Sequence, residues 1–145
     1  MPEKPKIQQV SVKALFEKDG KILIVKDTGK KILPSGQEGQ EWELPGGRID
    51  FGEMPRETLR REIKEELGIS DFEIGNIINS STFTSNKEEA SYQFIVLIFK
   101  CELKDNKISL SDEHEEMDWI SADEIDKHLL REIYKDALIE YFSKG

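Results

Sequence analysis

Cysteine is almost missing from this chain of 145 residues. Cys101 stands alone, so neither an internal disulfide nor a cysteine-based zinc site can form, and its place at the end of an apolar run reads as a packed small hydrophobe. Positive charge is also scarce. The 21 Lys and Arg residues are outnumbered by 30 Asp and Glu, a net charge of -9. That balance argues against a general nucleic-acid surface, which needs a basic patch. No apolar stretch approaches the roughly 20 residues of a membrane span, and nothing resembles a signal peptide. A cytoplasmic protein that binds neither membrane nor nucleic acid is the simplest expectation, as a monomer or homodimer. Internal repeats and low-complexity tracts are absent as well. The length leaves room for one domain, 1–145, with a single core burying roughly two thirds of the unfolded chain's surface.

What the chain has in excess is acid, and its spacing is informative. At about 100° per residue, Glu62, Glu65 and Glu66 fall within an arc of roughly 100° on one helical face. Like charges at these spacings repel by about 0.2 to 0.5 kcal/mol per pair. Glu65 and Glu66 also sit in the last turn, where the helix dipole disfavours acids by about 0.3 to 1 kcal/mol each. A helix selected for stability alone would avoid this arrangement. Divalent cations reverse both penalties, because Mg2+ and Mn2+ take hard oxygen ligands from a few carboxylates and from substrate phosphates. The competing interpretation is a solvated acidic face.

The surrounding residues favour the metal. Leu44-Pro45-Gly46-Gly47 ends a strand and starts a loop whose glycines permit close backbone approach, so the Gly46 carbonyl can face a metal or phosphate. Pro55 suits a first helical position and Gly68 a left-handed stop, which places a helix over 55–67 with Leu59, Ile63 and Leu67 as its apolar stripe. Arg61 can pair with Glu57 one turn earlier or with Glu53 in the preceding loop, pinning the loop and orienting Glu62.

The remaining elements suit a mixed sheet. Val10, Val12, Ala14 and Phe16 alternate in a strand over 10–17, Lys18-Asp19-Gly20 turns it, and 22–26 returns as a buried strand. Residues 28–41 read as a long loop, with Lys30 and Lys31 as a solvated pair in preference to contacts with a phosphate tail, followed by a short strand over 42–44. Strands are expected over 72–84 and 91–102. The second holds Phe94-Ile95-Val96-Leu97-Ile98-Phe99, apolar on both faces, and should lie at the sheet centre under helices on each side. A polar loop over 109–116 precedes a Trp119-Ile120 strand and a short helix opened by Ser121 with Glu124 in capping register. A last helix over 129–142 carries Leu130, Ile133, Tyr134, Ala137, Leu138 and Tyr141 as a core stripe.

From Gly47 to Ile69 the sequence matches G-x5-E-x7-R-E-U-x-E-E-x-G-U at every defined position, with Ile63 and Ile69 at the bulky aliphatic places. The 23-residue run therefore resembles the Nudix box, and Trp42-Glu43-Leu44-Pro45-Gly46 resembles the family's lead-in. The resemblance implies an α/β class fold, an α/β/α sandwich around a mixed β-sheet. It implies hydrolysis of a nucleoside diphosphate linked to another moiety, with Mg2+ or Mn2+ as cofactor and metal-assisted attack of water on phosphorus. Glu62, Glu65 and Glu66 take its metal-ligand positions and Gly46 the position whose carbonyl joins them, while Arg61 and Glu53 become supports of the catalytic machinery.

The segment Ser111-Asp112-Glu113-His114-Glu115-Glu116 ahead of Trp119 resembles the family's late acidic segment, whose acid six residues before that tryptophan can reach the metals; Glu113 has that spacing, ahead of Glu116 and Glu115, and the competing interpretation is a charged surface loop. The general base is then either a box glutamate such as Glu65 or Glu113. His114 reads as a hydrogen-bonding loop residue. For substrate, the proline and tyrosine that mark ADP-ribose and dinucleoside polyphosphate enzymes are replaced by Thr84, Ser85, Asn86 and Lys87. A small-molecule nucleotide of the triphosphate class leads by default, cleaved to monophosphate and pyrophosphate. Phe83 is a candidate stacking residue, and Asn79 and Asn86 are candidate base readers, each against an ordinary strand or turn role. An ADP-ribose, nucleotide-sugar or dinucleotide pyrophosphatase is the alternative. A non-catalytic nucleotide-binding regulator would have lost ligand acids, and an isoprenoid diphosphate isomerase would need a catalytic cysteine where only Cys101 exists.

Overall fold

The computed structural model describes residues 3–27, 31–32, 38–39, 41–104, 108, 114–128 and 130–144. Strands β1 (Lys6–Lys18) and β2 (Lys21–Asp27) are joined by a two-residue turn in which Asp19 (φ 53°) and Gly20 (φ 77°) both take positive φ. Such turns match the twist of paired strands and favour Asp-Gly. The expected loop contains a small separate hairpin, β3 (Lys31–Ile32) against β4 (Glu38–Gly39). Next come β5 (Trp42–Glu43), β6 (Gly46–Arg48), helix α1 (Pro55–Leu67), β7 (Phe72–Asn86) and β8 (Ser91–Leu103). The chain ends with β9 (His114–Ile120), a 3-10 helix (Ala122–Lys127) and α2 (Glu132–Ser143).

The main sheet has the order β5-β2-β1-β8-β7, with β6 also on β1 and β9 also on β2. Only β1 and β8 run parallel among these pairs, so the sheet is mixed. The period of two then assigns each strand residue to a layer. Val12, Ala14, Phe16, Leu23 and Val25 pack with Leu59, Ile63 and Leu67 of α1. Leu15, Ile22, Ile24, Val96 and Ile98 pack on the other face with Tyr134, Ala137 and Leu138 of α2. The expected α/β/α layering and α/β class hold.

Several boundaries differ from expectation, each for a local reason. Residues 46–48 form a strand on β1 where a loop was expected, because two glycines let the backbones close: a Cβ on Gly46 would lie 2.1 Å from the Val12 carbonyl oxygen. Residues 114–116 belong to β9 rather than to a polar loop, pairing with Asp27 and Lys26 of β2. Helix α2 begins at 132 because the preceding backbone is engaged elsewhere: Arg131 N–H donates to the Trp42 carbonyl at 3.2 Å. β8 is an interior strand, but β1 holds the centre, bonded to β2, β6 and β8.

Candidate active site

The loop before α1 is built around one carboxylate. The amide of Asp50 donates to Glu53 Oε1 at 3.0 Å and the Thr58 hydroxyl donates to the same oxygen at 3.0 Å. Arg61 closes the loop with a fork, Nε to Glu53 Oε2 and Nη2 to Glu53 Oε1, both 2.9 Å. Paired, charge-assisted bonds of this kind fix orientation as well as adding energy. The Arg61 guanidinium, with the Asp50 amide next, holds the Glu53 carboxyl down at about 2. Of the two partners expected for Arg61, the structure selects Glu53.

The same guanidinium gathers the box acids. Arg61 Nη1 donates to Glu62 Oε1 at 2.9 Å and lies 3.6 Å from Glu65 Oε2, while Nη2 lies 3.3 Å from Asp50. Glu66 has a contact of its own with β6. It is 4% exposed, and its Oε2 accepts the Gly46 N–H at 3.0 Å, tying the helix to β6. Gly47 is needed for space, since a Cβ there would lie 2.3 Å from the Glu62 carboxyl carbon. Glu62, Glu65, Glu66 and the Gly46 carbonyl are all hard oxygen donors, a set that fits Mg2+ or Mn2+. As they stand, no three acidic, histidine or cysteine side chains among the described residues converge closely enough to enclose an ion. The arrangement supplies donors around a glycine-made space, and the Glu65 side chain, paired with Arg61 at 3.6 Å, is 60% exposed.

Across the sheet from α1 lies a cavity of about 280 Å³ whose lining includes Lys13, Glu43, Arg48, Phe83, Arg131 and Tyr134. Phe83 stacks on Phe94 with ring centroids 4.8 Å apart, and the Arg131 guanidinium lies 5.9 Å over the Phe83 ring. Lys13 is 6% exposed, 3.7 Å from Glu43. Burial opposes its charge, but Tyr134, Glu43 and Glu66 more than offset burial and raise its pKa above the usual lysine value. Phe83 alone of the sequence-derived substrate candidates reaches this cavity. Asn86 lines a different one, beside Gln8 and Tyr92, and Asn79 hydrogen-bonds Glu140 at 3.3 Å near a third.

Glu113 lies outside the described residues, as does Lys30. His114 and Glu115 begin β9, and Glu116 pairs loosely with Lys26 at 3.9 Å. Cys101 is buried in the α1-side core, with its thiol pushed up to about 12 by burial, consistent with packing. Three cationic residues of the cavity lining, Lys13, Arg48 and Arg131, were not singled out by the sequence. A signal for Lys13 was present: it shares its strand phase with Leu15 inside an apolar run, where a lysine is out of place.

A family model described as NUDIX domain matches residues 6–141. The chain is 30% identical over 125 residues to a protein named nucleoside triphosphatase NudI from Escherichia coli O139:H28, covering 81% of this chain and 85% of that one. A crystal structure titled MutT protein from Methanosarcina mazei Go1 superposes with a TM-score of 0.74 at 28% identity, covering 99% and 97% of the two chains. The solution structure of the E. coli ORF135 protein gives a TM-score of 0.62 at 25% identity, with 92% and 89% covered.

Proposed function

The chain belongs to the Nudix family and is a pyrophosphohydrolase, and from that premise we propose that it cleaves a nucleoside triphosphate to the monophosphate and pyrophosphate. The observation that carries this reading is the cavity of Phe83, Phe94 and cationic side chains on the face of the sheet opposite α1, with Gly46 between it and the carboxylate helix. Aromatic faces stack a base, and Arg48 and Arg131 suit a phosphate chain. The NudI relative's name, nucleoside triphosphatase, points the same way.

Nudix enzymes generally use divalent metals. Glu62, Glu65 and Glu66 would hold the ion here, with the Gly46 carbonyl beside them. When bound, Mg2+ or Mn2+ lends Lewis acidity to phosphoryl oxygens and offsets charge on the departing phosphate. The protein's own share is positional. Arg61 and Glu53 lock the loop so that Glu62 stays on the reacting side, Glu66 anchors the helix to β6, and Phe83 holds the base. The proton acceptor for the attacking water is a box glutamate such as Glu65 or the acid Glu113.

A panel of nucleoside triphosphates, ADP-ribose, nucleotide sugars and dinucleoside polyphosphates, assayed with Mg2+ and Mn2+ for released phosphate and pyrophosphate, tests the reading. Pyrophosphate from a triphosphate at the highest kcat/KM is expected. Preferred cleavage of ADP-ribose or a dinucleotide would overturn it. Independently of turnover, millimolar Mg2+ should raise the melting temperature, since a ligand bound only by the native state stabilises it by mass action.

A further inference from the structure

Burying a lysine in a sheet costs desolvation that an apolar residue at the same place would avoid, and a buried ion pair often does no better than a well-packed apolar substitute. Lys13 nevertheless stands 6% exposed in the central strand, in phase with Leu15. Its nearest carboxylate oxygen, Glu43 Oε1 at 3.7 Å, is beyond hydrogen-bond length, and the Tyr134 ring centroid is 5.6 Å away. Glu43, Glu66 and Tyr134 keep it charged, but an apolar residue with apolar neighbours would do as well for the fold, so structure alone is a weak reason to keep a charge there.

The position supplies a better one. Lys13 pairs in register with Gly46, and its Cδ passes 3.0 Å from where a Cβ on Gly46 would stand. The Gly46 amide in turn carries Glu66. Lys13 also lines the cavity that Phe83 and Phe94 share. Lys13 thus stands between the Phe83 cavity, which it lines, and Glu66, whose charge it feels, where the phosphate chain of a nucleotide with its base on Phe83 and its reacting diphosphate at the box glutamates would pass.

We propose that Lys13 is a substrate-binding residue that takes the nucleotide phosphate nearest the sugar, at the junction between base cavity and carboxylate helix. The proposal rests on the nucleotide reading above. A compact ammonium with three N–H donors suits a phosphate approached from varied directions. The contact exists in ground and transition states alike, so it acts on binding more than on the chemical step.

The test compares the nucleosides and 5′-monophosphates of adenine, guanine, cytosine and uracil by calorimetry in chelator, with wild type and Lys13→Met. A charge-assisted phosphate contact is worth about 10- to 100-fold in affinity. Wild type should prefer the best monophosphate over its nucleoside, and Lys13→Met should cut that preference by about 10-fold or more while leaving nucleoside affinity within about threefold. In turnover, KM for the triphosphate should rise similarly with kcat little changed. Lys13→Gln, which keeps a hydrogen-bond donor but no charge, should give the same pattern and serves if the methionine variant does not fold. Equal losses for nucleoside and monophosphate would make Lys13 merely structural, and an unchanged preference would remove it from the phosphate; either result overturns the proposal. If wild type hydrolyses no nucleotide, the substrate reading fails, while the metal-free preference still judges Lys13.

Discussion

Replacing Gly47 by alanine perturbs the site through sterics alone. The new Cβ would stand 2.3 Å from the Glu62 carboxyl carbon and 2.5 and 2.6 Å from its oxygens, whereas ordinary contact begins near 3.4 Å. The carboxylate must therefore retreat by about 1 Å. Gly47 is not among the positive-φ residues, so its backbone accepts alanine, and the obstacle is the movable end of a side chain. The stability cost should stay at about 1 kcal/mol, a shift of roughly 2 to 8 °C for a chain of this size. Chemistry is less forgiving, because a misplacement of about 1 Å can cost about 100-fold in rate. Moving Glu62 also disturbs its 2.9 Å bond from Arg61, and so the loop that Arg61 pins. The assay is kcat and KM with Mg2+ on the best panel substrate, beside a thermal melt in chelator. Gly52→Ala is the control: φ there is +91° and nothing lies within 4 Å, so backbone strain of about 1 to 3 kcal/mol should lower stability and leave kcat within a few-fold. A Gly47→Ala enzyme with wild-type kcat would refute both the placement of Glu62 and its role as a ligand.

Glu65→Gln and Glu66→Gln should each lower kcat at least about 100-fold, since a metal clamp on developing charge is worth several kcal/mol. Their melts in chelator should differ: exposed Glu65 leaves stability unchanged or slightly raised, whereas buried Glu66, bonded to Gly46, costs about 1 to 3 kcal/mol. Glu53→Gln should show its defect through pH. Because the folded Glu53 carboxyl is held at about 2, its contribution is full above the unfolded value and disappears as pH falls. The melting gap between wild type and Glu53→Gln should thus be constant above about pH 5 and close between about 4.5 and about 2; a gap unchanged at pH 2 would mean the carboxylate's charge is not what Arg61 holds. Glu113→Gln should lower kcat by about 10- to 10,000-fold with KM within a few-fold, and Glu115→Gln should be nearly silent. Full kcat for Glu113→Gln from pH 7 to 9 would move the base to a box glutamate.

The parts of this protein legible in its sequence are those specified locally. Pro55 and Gly68 fix the ends of α1 because each acts through its own φ, and the structure has the helix over Pro55–Leu67 with Gly68 at φ 69°. The i, i+3, i+4 rule puts three acids on one face without reference to the rest of the fold. What escaped detection depends on distant backbone. β6 exists because β1 offers it a partner across two glycines, and the start of α2 is displaced by a hydrogen bond to Trp42. The helix spacing also says nothing of the backbone the acids meet: the Gly46 amide donates to Glu66 and Gly47 leaves the room that the Glu62 carboxyl fills, contacts that exist only once β6 has paired with β1. The cavity proposed for the substrate was least legible of all, since Lys13, Phe83 and Arg131 meet only after β1, β7 and the entry to α2 have assembled.

This division of labour bears on how such a site changes over time. The box acids answer to α1 and its preceding loop, held by contacts among Asp50, Glu53, Thr58 and Arg61 that are close in sequence. The cavity answers to the opposite face of the sheet and to α2. The two meet at β1 and Gly46, where Glu66 takes the amide and Lys13 passes beside the α-carbon. If the cavity takes the substrate as proposed, substitutions at Phe83 or Arg131 should reshape what is bound without moving a carboxylate of the box, whereas almost any side chain at Gly46 would strike the Val12 carbonyl and disturb both halves together. On the proposed reading, specificity and chemistry can therefore be varied at separate residues, while Gly46, at the junction of the two, has room for nothing but glycine.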